Sequence, residues 1–478
     1  TTLSFFTRAV YNWKDRYVLT TTWRLDGSSK FRNHNKWASF PSAAFAWRMN
    51  EEPWFNVPLI SQTKLRIGWG RVGNQAITSY QTMSNYTNTT YADHSIGNGA
   101  GFSVGLVPVN IANPDLKWET TEQFNLGLDF AMWKGRFALT VDAYDKMTYD
   151  LLQQKNIATS SGFETMWVNE GVVRNRGLEF TLDATPVVTR DFGWHLSGNI
   201  SFNRNKIMSI SETASSGRVY LDPSTMADVV YFYGSRVGSS NYANSPASIF
   251  MTGYEMGLFY GYRTDGIVQE GETGPAIVSG GTPAAPGHLK LLDTNGNGYI
   301  DPDDRMIIGN PNPKFTYGFS TSLTYKSFSL SATFYGRAGG DIINVNNMRE
   351  TDTGQKNHNI IREAFYDSWT PENHGAKYWA VGAISSTETR MLKDVDIEDG
   401  SYLRLSNVSL SYDVPIGKNK VLRGLNIGAS ANNLWFWTKY SGWDPDVNSY
   451  GSDVMRMGAD TGSYPSARTF SLDFKFTF

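Results

Sequence analysis

Apolar and polar residues alternate with period two along much of this chain, the spacing of strands that show one face to a non-aqueous phase or a core. Phe124, Leu126, Leu128, Phe130 and Met132 alternate with Asn125, Gly127, Asp129 and Ala131. Phe137, Leu139, Val141 and Ala143 repeat the pattern, as do Leu178, Phe180 and Leu182, and Leu196, Ile200 and Phe202. Tyr317, Phe319, Leu323 and Tyr325 lead through Lys326–Ser327 into Phe328, Leu330, Ala332 and Phe334. The chain ends on Phe470, Leu472, Phe474, Phe476 and Phe478, interleaved with Ser471, Asp473, Lys475 and Thr477. One run changes phase: Leu403 and Leu405 are odd, whereas Val408, Leu410 and Tyr412 are even. A bulge or a membrane exit is expected near Asn407.

Two architectures share this periodicity. A soluble β-sandwich would carry Lys and Glu on its outer face. Here the polar face is mostly Ser, Thr, Asn and Gly, which suits a crowded wet lumen, and the apolar face carries large aromatics. Tyr11, Trp13 and Tyr17 flank one expected turn, Trp47 ends a strand and Trp133 sits at another turn, positions where amphipathic rings meet lipid headgroups. The pattern therefore favours an all-β transmembrane antiparallel barrel.

Connection lengths point the same way. Short turns at Lys14–Arg16, Trp133–Arg136, Lys326–Ser327 and Pro415–Lys420 alternate with long polar segments at 72–117, 150–165, 208–313, 341–396 and 436–463. Short turns on one side and long loops on the other is the outer-membrane arrangement. The parse gives about 13 strands of bilayer-crossing length. An odd count does not close an antiparallel barrel, so the chain is expected to be the C-terminal part of a larger one, and the absence of an initiator Met and signal peptide agrees.

Composition narrows the chemistry. The 478 residues carry 43 basic and 45 acidic side chains, no cysteine and only 18% charged residues, against 14% aromatics. A charge near neutrality gives no polycation for nucleic acid. The missing thiols exclude disulfides, cysteine-ligated metals and thiol catalysis. The mean hydropathy of −0.38 and the lack of a long apolar run exclude a helical membrane protein.

The strongest chemical motif is a candidate calcium loop at 293–304. Asp293, Asn295 and Asn297 stand at alternate positions, Gly298 permits a sharp turn, the Tyr299 carbonyl follows, and Asp301 and Asp304 occupy the ninth and twelfth places. These hard oxygens would hold a structural Ca²⁺; the competing reading is an Asn/Gly-rich turn without metal. Asn at the fifth place and Asp rather than Glu at the twelfth weaken the match. Gly101-Phe-Ser103-Val-Gly105 spells a nucleophile elbow but lacks the strand-to-helix context it needs. The histidines at 34, 94, 195, 288, 358 and 374 show no ligand spacing, and Gly70-Arg-Val-Gly73 is too short for a dinucleotide fingerprint. The carboxylates of Asp394-Val-Asp396-Ile-Glu398-Asp399 read as a solvated approach to a strand. Trp435-Phe-Trp437 through Trp443-Asp-Pro offers rings either for ligand stacking or for interface anchoring. No catalytic residue is assigned.

Several stretches together resemble the C-terminal barrel of SusC/RagA-type TonB-dependent transporters. They are Arg24 to Phe31, Phe40 to Arg48, Leu65 to Gln75, Asn113-Pro-Asp-Leu-Lys-Trp118-Glu-Thr-Thr121 and Val173 to Glu179. Ile308-Gly-Asn-Pro311-Asn-Pro313-Lys-Phe315 to Gly318, Ser401 to Leu405 and Asn432 to Pro445 complete the set. The resemblance implies a 22-stranded outer-membrane barrel with a plug upstream of this chain, and import of oligosaccharides or peptides without an enzymatic step. It implies energy from TonB–ExbB–ExbD acting through the absent N-terminal region, and a SusD-like surface lipoprotein as lid. On this reading residues 1–478 are the C-terminal part of the barrel, with 208–313 a long extracellular loop region, and 72–117, 208–313 and 341–396 carry the lid contacts. The competing classes are a structural or assembly subunit built on the same barrel, a hydrolase using Ser103, and a passive porin.

Overall fold

The computed structural model describes residues 1–93, 101–163, 165–211, 214–238, 242–278, 280–354, 359–385, 387–417 and 421–478. Thirteen strands form one sheet in sequence order. They are β1 (Thr2–Trp13), β2 (Tyr17–Ser28), β3 (Trp37–Arg48), β4 (Ile60–Asn74), β5 (Glu119–Met132), β6 (Phe137–Tyr149) and β7 (Val172–Val188). The series continues through β8 (Phe192–Ser209), β9 (Pro313–Tyr325), β10 (Phe328–Gly339), β11 (Tyr402–Val414), β12 (Gly424–Thr438) and β13 (Thr469–Thr477). The strand number and the alternation of short turns with long connections follow the sequence pattern. The turn after β11 is partly outside the described residues, as are His94 and His358.

By contact density the chain divides into two units, one of 1–135, 140–178 and 207–212, the other of 136–139, 179–206 and 213–478. In the first unit β2 pairs with β3 so that Tyr17 faces Trp47 and Leu19 faces Phe45, and β4 pairs with β5 so that Ile67 faces Leu126 and Trp69 faces Phe124. Cross-strand apolar partners therefore stack into continuous stripes on one face. Tight turns close the hairpins: Lys14 and Asp15, and Trp133 and Lys134, all have left-handed φ of 52–58°, the backbone of a type I′ turn whose twist matches the strands. At the other end a small core of Phe31, Phe40, Ile77, Leu116 and Trp118 is fully covered. Phe40 packs so closely that a Cβ on Gly73 would lie 2.0 Å from its ring. That contact, and not nucleotide binding, accounts for the glycine there.

In the second unit β9 and β10 pair through Phe319–Phe334, whose rings stack at 4.5 Å, and Phe328 stacks on Tyr412 of β11 at the same spacing. The expected irregularity lies next to Asn407. The β10–β11 ladder slips between Thr333 and Phe334, and the β11–β12 ladder slips between Leu405 and Asn407. Asn433 opposite takes a left-handed φ of 52°. The phase change in the sequence is thus a bulge, which returns Leu403 and Leu405 to the face of Leu410 and Tyr412.

The long segments of this unit are folded, which their polarity did not foretell. Strands Ser215–Asp222, Thr225–Tyr233, Ser248–Met251, Leu258–Gly261 and Met306–Gly309 close a small barrel around Val219, Ile249 and Met251. Val237, Phe259, Ile343, Met348, Leu392 and Ala459, drawn from three separate connections, share one core.

Candidate functional site

The polar face of the first unit is built from small residues and a few paired charges. Thr20, Thr22, Ser42, Gly68 and Gly70 line a concavity of about 420 Å³ with Arg24 and Asp26 at its edge, 2.7 Å apart. Beside it Arg66 bridges Asp129 at 2.8 Å and Asp142 at 3.0 Å, and Lys64 lies 3.3 Å from Asp129. Gly127 makes room for this: the Arg66 guanidinium carbon lies 2.6 Å from where a Cβ would be. Every charge in the cluster has a partner of opposite sign, so the wall is wet and polar without a strong net field.

In the second unit the connections fold over the ends of β9–β12. Arg404 is buried and paired with Asp444, and the rings of Tyr335, Tyr402 and Phe436 surround its guanidinium at 5.3–6.0 Å. Arg337 donates to the carbonyls of Gly400 (2.9 Å) and Pro445 (3.1 Å). Two arginines of the sheet thereby hold the Asp444–Asp446 segment in place. Burial pushes the Asp444 carboxyl up, but the amides of Asp446 and Ser466 and the Arg404 charge outweigh it, so it titrates below the usual range.

A polar cavity of about 460 Å³ lies among Arg204, Glu255, Asn310, Lys314, Asp341 and Asp399. The Asn-Pro-Asn-Pro stretch shapes it. The amide of Asn310 donates to Asp341 (2.7 Å), Asn310 Nδ2 to Glu255, Asn312 Nδ2 to the Met256 carbonyl (2.8 Å) and Asn205 Nδ2 to Asn312 (2.6 Å). Burial raises the Asp341 carboxyl. Asp399 is exposed and titrates low: partial desolvation raises it, but the Ser401 hydroxyl and amide both donate to it and outweigh that.

The sequence-derived site residues fall in different places. Asp293 accepts the amides of Gly296 and Gly298 at 2.7 Å, Asn295 accepts that of Asn297 at 3.0 Å, and Asn297 donates to Asp301 at 2.8 Å. These residues and Tyr299 lie on one accessible turn. Asp304 is fully buried, accepting from Thr294 and Asn295 on one oxygen and from the Asp301 amide on the other. Oxygens at both ends of the loop accept amides; what separates them is burial, since the early positions are accessible to solvent and the twelfth is not. Among the described residues no three His, Asp or Glu side chains converge as a metal cluster, so a cation here would depend on amide and carbonyl oxygens as well.

Ser103 lies within the strand Gly101–Pro108 and not at a strand-to-helix turn. His195 contacts Thr185 and His374 contacts Gln269. Of the four carboxylates in 394–399 only Asp399 is exposed as a solvated approach would have it. Asp394 accepts from Thr264, Glu398 from Asn344 and Ser441, and Asp396 is buried against Lys393 at 3.3 Å, where desolvation raises its pKa. Alternation does not reveal such stitching between distant loops. Trp435 and Trp437 face Leu405 and Leu403 and are half exposed, which is the anchoring arrangement, while Phe436 between them turns to Arg404. Arg404 itself was missed, although an arginine among aromatics within a strand is a readable signal.

The TonB dependent receptor-like β-barrel family matches residues 1–434. TonB-dependent receptor P3 of Formosa agariphila is 32% identical across the whole chain, and TonB-dependent receptor SusC of Bacteroides thetaiotaomicron is 31% identical, again across the whole chain. The chain spans 45% and 44% of those two proteins. Among solved structures, the RagAB peptide transporter superposes with a TM-score of 0.80 at 24% identity, covering all of this chain and 48% of its own.

Proposed function

The chain belongs to the TonB-dependent receptors of the SusC/RagA type, as a multi-pass outer-membrane β-barrel, and from that membership we propose that it walls the channel of a TonB-energised importer. The family transports and does not catalyse, and the proposal contains no enzymatic step. The cargo class we propose is oligosaccharides or peptides, with a SusD-like surface lipoprotein as lid and TonB–ExbB–ExbD pulling on a plug. The observation that carries the reading is the wall itself: an apolar face of stacked aromatics and a polar face of small residues and neutralised charges. Along the Arg24–Asp26 and Arg66–Asp129–Asp142 stretch a polar solute meets charges that are already paired. The folded connections support the lid, because a large ordered surface is available to one.

A structural Ca²⁺ in the 293–304 loop belongs to the same proposal, supported by the oxygens of Asp293, Asn295, Asn297, Tyr299 and Asp301. It would order that connection, and no transport step passes through it.

The competing reading is a structural or assembly subunit on the same barrel. Affinity purification of the full protein from outer membranes separates the two. Import predicts a co-purifying surface lipoprotein and bound oligosaccharides or peptides detectable by mass spectrometry. A protein that carries other envelope proteins and no small solute would contradict it.

A further inference from the structure

The turn between β3 and β4 (49–59) is longer than most on its side of the sheet. Lys14–Arg16 joins β1 to β2, Trp133–Arg136 joins β5 to β6 and Lys326–Ser327 joins β9 to β10. Two antiparallel neighbours need no more than that. The longer turn is nevertheless ordered, by amide-to-carbonyl bonds from Glu52 to Met49 (3.1 Å), Phe55 to Glu52 (3.0 Å) and Ile60 to Val57 (3.0 Å).

Its side chains show which face it covers. The Glu52 carboxylate accepts the Tyr17 hydroxyl at 2.5 Å and the Trp47 indole N–H at 2.9 Å, and Trp54 packs edge-on against Trp47 at 6.4 Å. Tyr17 and Trp47 belong to the apolar stripe that also carries Leu19, Trp23 and Phe45. The turn therefore folds back against the apolar wall and not under the polar face. Trp54 (63% exposed), Val57 (45%) and Leu59 (48%) point away from the protein. The Leu59 carbonyl accepts the Trp133 amide at 2.9 Å, which brings a fourth exposed apolar side chain alongside. Lys14, Arg48 and Lys134 sit on or beside the same turns, and the Lys14 ammonium lies 5.1 Å from the Trp13 ring.

We propose that the 49–59 turn is an interfacial anchor, seated in the headgroup layer of the phospholipid leaflet on the short-turn side. Trp54, Val57, Leu59 and Trp133 enter the acyl boundary, and the neighbouring cations meet lipid phosphates. The patch continues the lipid-facing aromatic stripe without a break, and on these turns Lys14, Arg16, Arg48, Lys134 and Arg136 outnumber Asp15, Glu51 and Glu52, so the net sign suits an anionic headgroup. Exposed apolar side chains clustered this way cost stability in water and gain it in the interface. The inference rests on the outer-membrane barrel reading, but it is independent of transport and cargo.

These 478 residues contain no cysteine, and any cysteine elsewhere in the full protein is first replaced by serine, so that the label reports one site. The full protein is reconstituted in phosphatidylethanolamine–phosphatidylglycerol bilayers, with a nitroxide on Val57→Cys, or on Asp191→Cys in the β7–β8 turn as control. Collisions with oxygen and with a water-soluble nickel chelate are then compared. At Val57→Cys oxygen should dominate and at Asp191→Cys the nickel chelate should. Equal nickel accessibility at both sites would overturn the proposal. So would a Val57→Cys label that is shielded in cells and water-exposed in the bilayer, which would mean a protein partner. A Trp54→Ala, Leu59→Ser variant that keeps its folded-barrel mobility on gels should show increased nickel access at Val57→Cys, and unchanged access would likewise contradict it. Uptake measurements do not enter this test, so failure of the import reading leaves it standing.

Discussion

Arg404 of β11 and Asp444, forty residues further along, form a buried ion pair inside a cage of three aromatic rings. The pair fastens the connection between β12 and β13 to the sheet. A half-pair left in this setting is an uncompensated buried charge, which costs about 3–5 kcal/mol. Asp444→Asn and Arg404→Ala should each increase hydrogen exchange across 439–468 while the strands stay protected. Replacing both residues by leucine should restore part of the protection. Unchanged exchange in either single variant would show that the pair holds nothing.

The connections also contain tyrosine–carboxylate bonds that respond to alkali. Tyr242 donates to Asp352 at 3.0 Å and Tyr440 to Asp460 at 2.7 Å. Burial first, then the facing carboxylate, pushes Tyr242 up to about 12 and Tyr440 well above the usual phenol range. A folded pKa above the unfolded one gives stability that is complete below the unfolded value near 10 and is lost as pH rises toward the folded value. The loop layer should therefore become protease-sensitive above about pH 10, before the sheet opens. Tyr440→Phe should weaken that dependence, and a pH profile identical to the parent would count against the assignment.

The 293–304 loop separates two roles for its acidic residues. Asp304 takes four hydrogen bonds while fully buried, and each amide it leaves unpaired costs about 1–3 kcal/mol. Asp304→Ala should loosen the loop in calcium and in chelator alike. Asp293→Ala combined with Asn295→Ala should instead remove the protease resistance that calcium adds. An unchanged difference between calcium and chelator in that double variant would sink the calcium proposal.

The bulge gives a backbone prediction. Asn433 holds φ at 52°, a conformation that costs a β-branched residue about 1–2 kcal/mol and glycine nothing. Asn433→Val should lower the urea midpoint of the folded protein in detergent, and Asn433→Gly should leave it nearly unchanged. Equal midpoints for the two would place the irregularity elsewhere.

The wall was legible in the sequence because lipid and lumen impose period two on every crossing strand, from Phe124–Met132 to Phe470–Phe476. The phase slip at Asn407 was legible for the same reason. The connections were not. Their order comes from residues far apart in the chain, such as Phe259, Ile343 and Ala459 in one core, or Glu398 accepting from Ser441. Polar composition there was mistaken for solvation, because a carboxylate such as Asp396 reads the same whether it meets water or Lys393. The family-like stretches proved to be architectural. Leu116 and Trp118 fill a small core, and Asn310 and Asn312 shape a cavity.

Energised uptake tests the central claim most directly. Cells with and without the full protein, and with and without TonB, are given a defined mixture of oligosaccharides and peptides, and depletion of each solute is followed by mass spectrometry. Depletion of one solute class that disappears when either the protein or TonB is removed is the expected result. Depletion that persists without the protein, or proceeds at the same rate without TonB, would contradict the account.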